Sequence, residues 1–481
     1  MKVSQQAFNV PKVYLTVISH RRIVLKKFSK NYGLWLGAST SDMLSRSICT
    51  IVLPFVIVEI SGSIATAGVV NSIGIFAYLI VMPFGGVLVD RIDRRLGMYT
   101  RAISGAILWL VFGLLLTFNL LKFWQILVII VAVKVLDGLF GMADNAALRS
   151  IIPDDKEFTK AIAINQGRNA VIEITGGPIG GFLYTLTRAL PYYFSAALLS
   201  TMVILTRLIS TNLKISKTAE MKFNASISPI SDSNCSKRRL MAMRRVFTDI
   251  HEAFTFVWGE PILRICFIVT MVLNTSFAFT NNTALYHLIS QGYTAFQISI
   301  LESASSVFMI IASIFAGKFL QRFRSGKLLL MTFIGIFIIA FLATFSHTYQ
   351  TLLIWLPFYG LAFPFTISIM QGYLFSTTPV HLQGRVNSLA GVIELAITAF
   401  VPAIASTLVA AHFSTFSFAL GSIAAAIAVI GLLSNRGLRN LGRPSEWHTT
   451  VTNPPELNST DGTTLSDKSY DTSGELTDNQ N

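Results

Sequence analysis

The sequence has little charge and few cysteines. Only 13% of its 481 residues are Asp, Glu, Lys or Arg, whereas soluble domains carry roughly 25%. Together with 52% hydrophobic residues, this low charge excludes an ordinary soluble domain and predicts an integral membrane protein. The three cysteines, Cys49, Cys235 and Cys266, have no spacing typical of a disulfide framework or a metal site.

Motifs for nucleotide hydrolysis and metal chemistry are also missing. The sequence contains no Gly-x-x-x-x-Gly-Lys-Ser/Thr motif, so we expect no ATP hydrolysis by this chain. Its histidines have no metal-ligand spacing, and no Ser/His/Asp arrangement is indicated. We therefore predict a protein that is not an enzyme and that uses neither a cofactor nor a metal.

The formal net charge of +14 has two explanations. A basic surface attracts nucleic acid, whereas membrane proteins collect Lys and Arg in their cytoplasmic loops. Here the basic residues lie in alternate polar segments, and the segments between them, near 61–65, 290–295, 347–350 and 412–414, contain none. Lys122 and Arg188 are single exceptions. We therefore predict no nucleic-acid partner, and a multi-pass protein of the inner (plasma) membrane with both termini in the cytoplasm.

Twelve apolar segments are long enough to cross a bilayer, which takes about 20 residues. They lie near residues 34–60, 65–88, 97–118, 122–148, 160–186, 190–211, 261–289, 296–320, 327–346, 350–376, 385–411 and 414–435. A long polar stretch separates the sixth from the seventh. We predict an all-α membrane protein with twelve transmembrane helices in two pseudo-symmetric six-helix bundles.

The polar segments divide the chain into five parts. We predict a cytoplasmic N-terminal segment, a first bundle, a cytoplasmic central loop, a second bundle and a disordered cytoplasmic tail at residues 1–33, 34–211, 212–259, 260–436 and 437–481. Within the central loop, the spacing of Phe247, Ile250, Phe254 and Trp258 predicts an amphipathic helix on the membrane surface. The tail is polar, with seven acidic and three basic residues, and cannot bury a core.

The segment from Gly85 to Arg95 concentrates charge between two apolar spans, because five of its last six residues are charged. Such a sequence cannot lie in hydrocarbon and predicts a tight cytoplasmic turn. We expect Gly85 and Gly86 to let two helices approach closely just before that turn. A similar segment begins at Gly317, 231 positions after Gly86, which indicates an internal duplication.

Two ionisable residues of the first span, Asp42 and Arg46, lie four positions apart and so share a helix face. Asp42 is either a protonatable carboxylate that faces a central cavity or half of a structural ion pair. In the fourth span, Lys134 and Asp137 lie near mid-membrane, and we predict that they serve coupling-ion or substrate chemistry. We expect Asp144, nearer the cytoplasmic end, to pair with Arg94 or Arg95.

Further candidates lie in the fifth, eighth and eleventh spans. Glu302 and Glu394 are each either a contact for a cationic substrate or a hydrogen-bonded structural acid. The run from Gly176 to Gly181 predicts a bend and a close contact with another helix.

The residues from Gly86 to Arg95 resemble the signature loop of the major facilitator superfamily, Gly-x-Leu-x-Asp-Arg-x-Gly-Arg-Lys/Arg, with Asp93 in place of the second glycine. The resemblance implies that this loop latches the outward-open state. Asp90 would contact the eleventh helix and Arg94 the inner end of the fourth. We count six residues in this predicted latch: Gly86, Asp90, Arg91, Arg94, Arg95 and Asp144.

Two more motifs are similar to those of the same superfamily. Lys134–Gly138 resembles its fourth-span motif, with lysine in place of arginine. The residues Gly177, Pro178, Gly180 and Gly181 resemble the antiporter signature Gly-Pro-x-x-Gly-Gly, but are one residue short of it.

Three stretches, Ser41–Asp42, Leu53–Ser63 and Trp258–Arg264, are similar to the bacterial twelve-helix drug:proton antiporters that include macrolide exporters. The resemblance implies export of amphipathic drugs, with macrolides among the candidates, in exchange for protons by alternating access across the lipid bilayer. We expect a monomer. Three alternatives stay open. They are a dedicated exporter of an endogenous siderophore, peptide or antibiotic, an importer, and a membrane receptor or assembly subunit that transports nothing.

Overall fold

The computed structural model describes residues 29–89, 92–152, 154–211 and 251–450. Within these ranges, ten helices are long and apolar enough to cross a membrane. The other two predicted spans, the fifth and the sixth, are helices that pack in the same bundle. The prediction of an all-α protein with twelve spans is therefore confirmed.

The helices begin and end within a few residues of the predicted bounds. The first half consists of α1 (Lys30–Ser61), α2 (Ile64–Val89), α3 (Arg94–Thr117), α4 (Phe123–Phe140 and Ala143–Ile151), α5 (Asp155–Leu186) and α6 (Leu190–Leu208). The second half consists of α7 (Pro261–Ser290), α8 (Ala295–Arg322), α9 (Ser325–Thr344), α10 (Tyr349–Trp355, Leu356–Phe358 and Tyr359–Thr377), α11 (Val380–Thr398 and Val401–Ala410) and α12 (Ser414–Ser434).

The two halves repeat one packing scheme. In the first half, α1 packs on α5 and α6, α2 packs on α4, and α3 packs on α6. In the second half, α7 packs on α11 and α12, α8 packs on α10, and α9 packs on α12. Each contact recurs after six helices, as expected for a duplicated bundle.

Local chemistry sets the helix ends. The Ser29 hydroxyl accepts a hydrogen bond from the Tyr32 backbone N–H, which caps the start of α1. At its other end, Gly62 adopts a left-handed φ of 67°, a conformation that glycine takes without steric cost. Thr294 and Gln297 form a reciprocal capping box at the start of α8.

The halves meet at one end of the bundle. We call the end that carries residues 29 and 450 the terminal end, and the opposite end the distal end. Near the distal end, α5 packs on α8 and α2 packs on α11. Ser303 donates a hydrogen bond to the Ile174 carbonyl at 2.6 Å, and the Ala403 N–H donates to Ser72 at 3.0 Å.

The halves diverge toward the terminal end. Glu173 lies one turn closer to that end than Gly177, on nearly the same face of α5, and its side chain is exposed. Gly177, by contrast, is buried against Ser299 of α8. The distal segment of α11 (Val401–Ala410) also packs on α2 more closely than its terminal segment (Val380–Thr398) does, so the halves are packed less closely at the terminal end.

The predicted start of the tail at residue 437 is wrong. Residues Arg436–Arg439 form a helical turn and Pro444–Thr450 a 3-10 helix. The Ser325 and Gly326 N–H groups, at the start of α9, bond to the carbonyls of Gly442 and Leu441. Composition averaged over the whole tail hid this packed segment, and residues 451–481 lie outside the described ranges.

The central loop lies outside the described residues up to position 250, including Phe247 and Ile250. Residues 251–259 are helical, as predicted. Phe254 and Trp258 stack with 4.9 Å between ring centroids and are exposed, whereas Ala253 and Val257 are buried. Membrane-surface binding by this exposed aromatic pair stays a prediction.

Candidate functional site

A buried arginine joins two carboxylates in the first half. Arg101 Nη2 of α3 lies 3.1 Å from Asp42 Oδ1 of α1 and 2.7 Å from Asp137 Oδ1 of α4. The side chains of Arg101, Asp42 and Asp137 are only 5%, 3% and 12% exposed. Because charges in a low-dielectric interior require partners, this bridge ties three helices together.

Arg46 supplies a second cation to Asp42. Its Nη2 lies 2.5 Å from Asp42 Oδ2, and its side chain is 47% exposed. The structure therefore contains the Asp42–Arg46 ion pair, one of the two alternatives for Asp42. Asp137 accepts its hydrogen bond from Arg101, and coupling-ion or substrate chemistry at Lys134 and Asp137 stays a prediction. The stem of Lys134 runs past Gly74 of α2, where an added Cβ would lie 3.3 Å from Lys134 Cγ.

A cavity of about 80 Å³ adjoins this cluster. Its charged lining consists of Asp42, Arg46, Arg101, Lys134 and Asp137, and its apolar wall includes Trp109, Ile130 and Leu199. Arg101 Nη1 is buried and has no hydrogen-bond partner among the described residues. A cavity of this size accommodates a few water molecules. The cavity thus gives small polar molecules room beside the buried bridge.

Arg101 was not a predicted site residue. It interrupts an otherwise uncharged span close to the basic turn, where a lone arginine is typical of a cytoplasmic flank. Its role depends on contacts with α1 and α4, which no pattern within α3 reveals.

A second cluster lies nearer the terminal end. Ser39 of α1 donates a hydrogen bond of 2.5 Å to Asp144 Oδ2, and Trp35 Nε1 donates to the Asp144 backbone carbonyl at 3.0 Å. The predicted pairing of Asp144 with Arg94 or Arg95 is wrong, because those arginines bond to other groups. Arg94 donates to Ser150, and Arg95 donates to the Ile209 and Thr211 carbonyls.

The predicted latch is described only in part. Asp90 and Arg91 lie outside the described residues. Arg94 reaches Ser150 at the terminal end of α4, and a latch role for it stays a prediction. Gly85 lies against α4, because an added Cβ would come within 2.0 Å of the Gly138 carbonyl oxygen. The expected close helix contact at Gly86 is wrong, since a Cβ there would meet no described atom within 4 Å.

Glu302 faces the space between the halves. On α8, Ser299 and Ser303 face α5, and Ser305 faces the Leu356 carbonyl of α10. Glu302 lies between these two faces and is exposed. The opposite side of the helix carries the exposed apolar residues Ile300, Val307, Ile311 and Ile314, as expected for lipid contact.

Glu394 lines a mostly apolar cavity of the second half. This cavity, of about 100 Å³, lies between α7, α10 and α11. Its polar lining consists of Thr270, Asn274, Gln371, Asn387 and Glu394, beside apolar residues such as Phe267 and Met271. A carboxylate among amides and apolar side chains suits an amphipathic ligand with a cationic group.

The glycine run of α5 packs on two helices at once. Gly176 and Gly180 lie against Ser47 and Ile48 of α1, within the first half. Gly177 and Gly181 lie against Ser299 and Phe296 of α8, in the second half. The predicted close contact is therefore confirmed, and it extends to both neighbours. Pro178 lies inside the continuous helix α5.

The family model of the Major Facilitator Superfamily matches residues 34–402 and, in a second match, residues 266–451. The chain belongs to this superfamily. It is therefore a transporter of the membrane-embedded, multi-pass type, not an enzyme, and it carries a small-molecule substrate.

Relatives differ in what they carry. Macrolide efflux protein A of Streptococcus pyogenes is 23% identical over 157 residues, which are 33% of this chain and 38% of that protein. The match thus spans less than half of the curated relative. A bacterial homologue of the iron transporter ferroportin, solved in an inward-facing state, matches 84% of this chain and 98% of its own, with a TM-score of 0.64 and 12% identity.

Two further solved transporters show the same fold. The nucleoside transporter NupG has a TM-score of 0.63 and 13% identity, and covers 84% of this chain and 99% of its own. A D-xylose-proton symporter has a TM-score of 0.57 and 14% identity, and covers 86% of this chain and 97% of its own. One fold thus serves several cargos, and the cargo must be argued from the site.

Proposed function

We propose that this transporter exports amphipathic small molecules in exchange for protons. The observation that carries the proposal is the buried bridge of Asp42, Arg101 and Asp137 beside a cavity. Ionisable residues within a membrane span are costly and mark ion pathways. Asp42 and Asp137 share Arg101, so adding one proton to either carboxylate changes the net charge of this three-residue cluster.

Protonation would act through Arg101. While both carboxylates are ionised, the arginine holds α1 and α4 against α3. Protonating Asp42 or Asp137 removes one charged partner and weakens that connection. A proton thereby favours one arrangement of the helices over another, which is the requirement for coupling.

The conformational change would involve the two contacts between the halves. We propose that the terminal end faces the cytoplasm, as the distribution of basic residues favours. The structure then represents the state that is open to the cytoplasm and closed at the distal gate, where α5 meets α8 and α2 meets α11. Rocking of the halves would open this gate and close the terminal end. The signature loop, with Gly86, Asp90, Arg91, Arg94 and Arg95, would latch that second state.

Glu302 and Glu394 are the proposed cargo contacts. Both residues belong to the second half, and neither side chain is fully covered by its own helices. The proposed coupling carboxylates, Asp42 and Asp137, belong to the first half. The similarity to Macrolide efflux protein A makes macrolides the first cargo to test. A monomer holds both sites and is the proposed functional unit.

The test uses purified protein in liposomes and follows internal pH while macrolides and a panel of cationic and neutral drugs are added. Cargo-dependent proton flux is expected from the wild type. Asp137→Asn should stay folded and lose that flux, whereas the matched control Glu59→Gln, at the distal end beside Arg188, should retain it. Unchanged proton flux in Asp137→Asn would contradict the assignment.

A further inference from the structure

A hydrogen bond between Ser39 and Asp144 also links α1 to α4. It lies closer to the terminal end than the Arg101 bridge does. Asp144 follows Asp137 by seven residues, or about two helical turns, and lies toward the terminal end. Ser39 precedes Asp42 by three residues and lies about one turn toward that same end. The Ser39–Asp144 hydrogen bond therefore lies between the coupling carboxylates and the terminal end of the bundle.

Only one of the two carboxylate oxygens of Asp144 has a hydrogen-bond partner among the described residues. Oδ2 accepts the hydrogen bond from Ser39, whereas Oδ1 is buried with no hydrogen-bond partner among the described residues. A buried carboxylate oxygen without a partner is costly. A proton or a water molecule at Oδ1 removes that cost. Asp144 is thus built to accept and release a proton.

Charged groups from three helices face Asp144. Asp42 and Arg46 approach from α1, Arg101 from α3 and Arg168 from α5. The guanidinium of Arg168 lies over the Trp35 ring, 5.8 Å from its centroid. The Asp144 carboxyl group therefore lies near three cationic side chains and one other carboxylate.

We propose that Asp144 relays the transported proton between Asp42 and the water at the terminal end, an inference that rests on the proposed function. Protonated Asp42 gives its proton toward the Ser39 hydroxyl, one turn away. Ser39 passes its own proton along the existing hydrogen bond to Asp144 Oδ2, and Asp144 loses a proton to water. The donor direction of that bond, from Ser39 to Asp144, matches release at the open end.

Asp144→Asn tests the relay, because the amide oxygen still accepts from Ser39 but the group no longer takes up a proton. Export driven by a pH gradient is expected to fall roughly tenfold or more. Exchange of labelled for unlabelled cargo needs no net proton movement and should stay near the wild-type rate. Asp144→Glu should restore export, and Ser39→Ala should slow it without stopping exchange.

Asp137→Asn is measured in parallel to separate the two hypotheses. If that variant keeps coupled proton flux, the proposed function itself fails. If it loses the flux while Asp144→Asn exports at the wild-type rate, only the relay is overturned. Loss of both export and exchange in folded Asp144→Asn would also overturn the relay, because it would assign Asp144 to cargo binding or to the conformational change.

Discussion

Gly181 of α5 lies directly on the backbone of Phe296 in α8. A Cβ added at Gly181 would lie 2.6 Å from both the N and Cα atoms of Phe296, closer than two such atoms can approach. Since α5 belongs to the first half and α8 to the second, this glycine allows the halves to close at the distal end.

We predict that Gly181→Ala shifts the transporter away from the distally closed state. Overpacking of a tight contact costs about 1–3 kcal/mol, which changes a two-state ratio by roughly 5- to 150-fold. Spin labels placed at the distal ends of α5 and α8 would report the change, as a longer distance in the variant.

Two other glycines of the same helix serve as controls. Gly167→Ala should leave the distances unchanged, because a Cβ there meets no described atom within 4 Å. Gly180→Ala presses on Ile48 inside the first half and should lower thermal stability without favouring either state. Equal distance shifts in all three variants would refute a specific role for Gly181.

We predict that replacing Arg101 lowers the stability of the protein substantially. Arg101→Met leaves Asp42 and Asp137 buried without their shared cation, and removing one partner of a buried ion pair costs about 3–5 kcal/mol. Thermal unfolding in detergent should show this loss. Adding Asp137→Asn should recover part of it, because Asp42 keeps its partner Arg46 and the unpaired charge of Asp137 disappears. If the double variant is no more stable than Arg101→Met, the two side chains are not coupled.

The helix bounds could be predicted from the sequence, whereas the role of Arg101 could not. A span is a local property, because about 20 apolar residues must fill the bilayer, and the bounds were therefore predictable. The pairing of Asp42 with Arg46 was also local, since the two residues lie one turn apart on α1. The bridge through Arg101 joins three helices and depends on how they pack.

The same distinction explains the errors. Asp144 was expected to pair with the basic turn because both lie at a similar depth. The structure instead brings Ser39 and Trp35 of α1 to Asp144, and Arg95 reaches the carbonyls of residues 209 and 211 at the end of α6. Depth follows from position along a span, whereas the partner at that depth follows from tertiary packing.

The packed segment after α12 should contribute to the stability of the second half. Trp447 is 7% exposed, and its ring lies against Tyr373 at 6.0 Å and beside Gly372 of α10. Truncating a buried tryptophan costs about 3–5 kcal/mol, so Trp447→Ala should lower the thermal unfolding temperature. Trp258→Ala, at a residue that is 46% exposed, should change stability by only about 0.5 kcal/mol. Equal effects would show that the segment does not hold α10.

Glu394 should discriminate cargo by charge. If its carboxylate contacts a cationic group, Glu394→Gln preserves the shape of the cavity near Gln371 and Asn387 and removes only the charge. The KM for cationic drugs should then rise roughly tenfold, equivalent to about 1.4 kcal/mol, while the KM for neutral drugs stays unchanged. Glu302→Gln, measured alongside, shows which of the two carboxylates the cargo meets. A parallel rise for cationic and neutral drugs in Glu394→Gln would instead identify Glu394 as a residue that shapes the cavity.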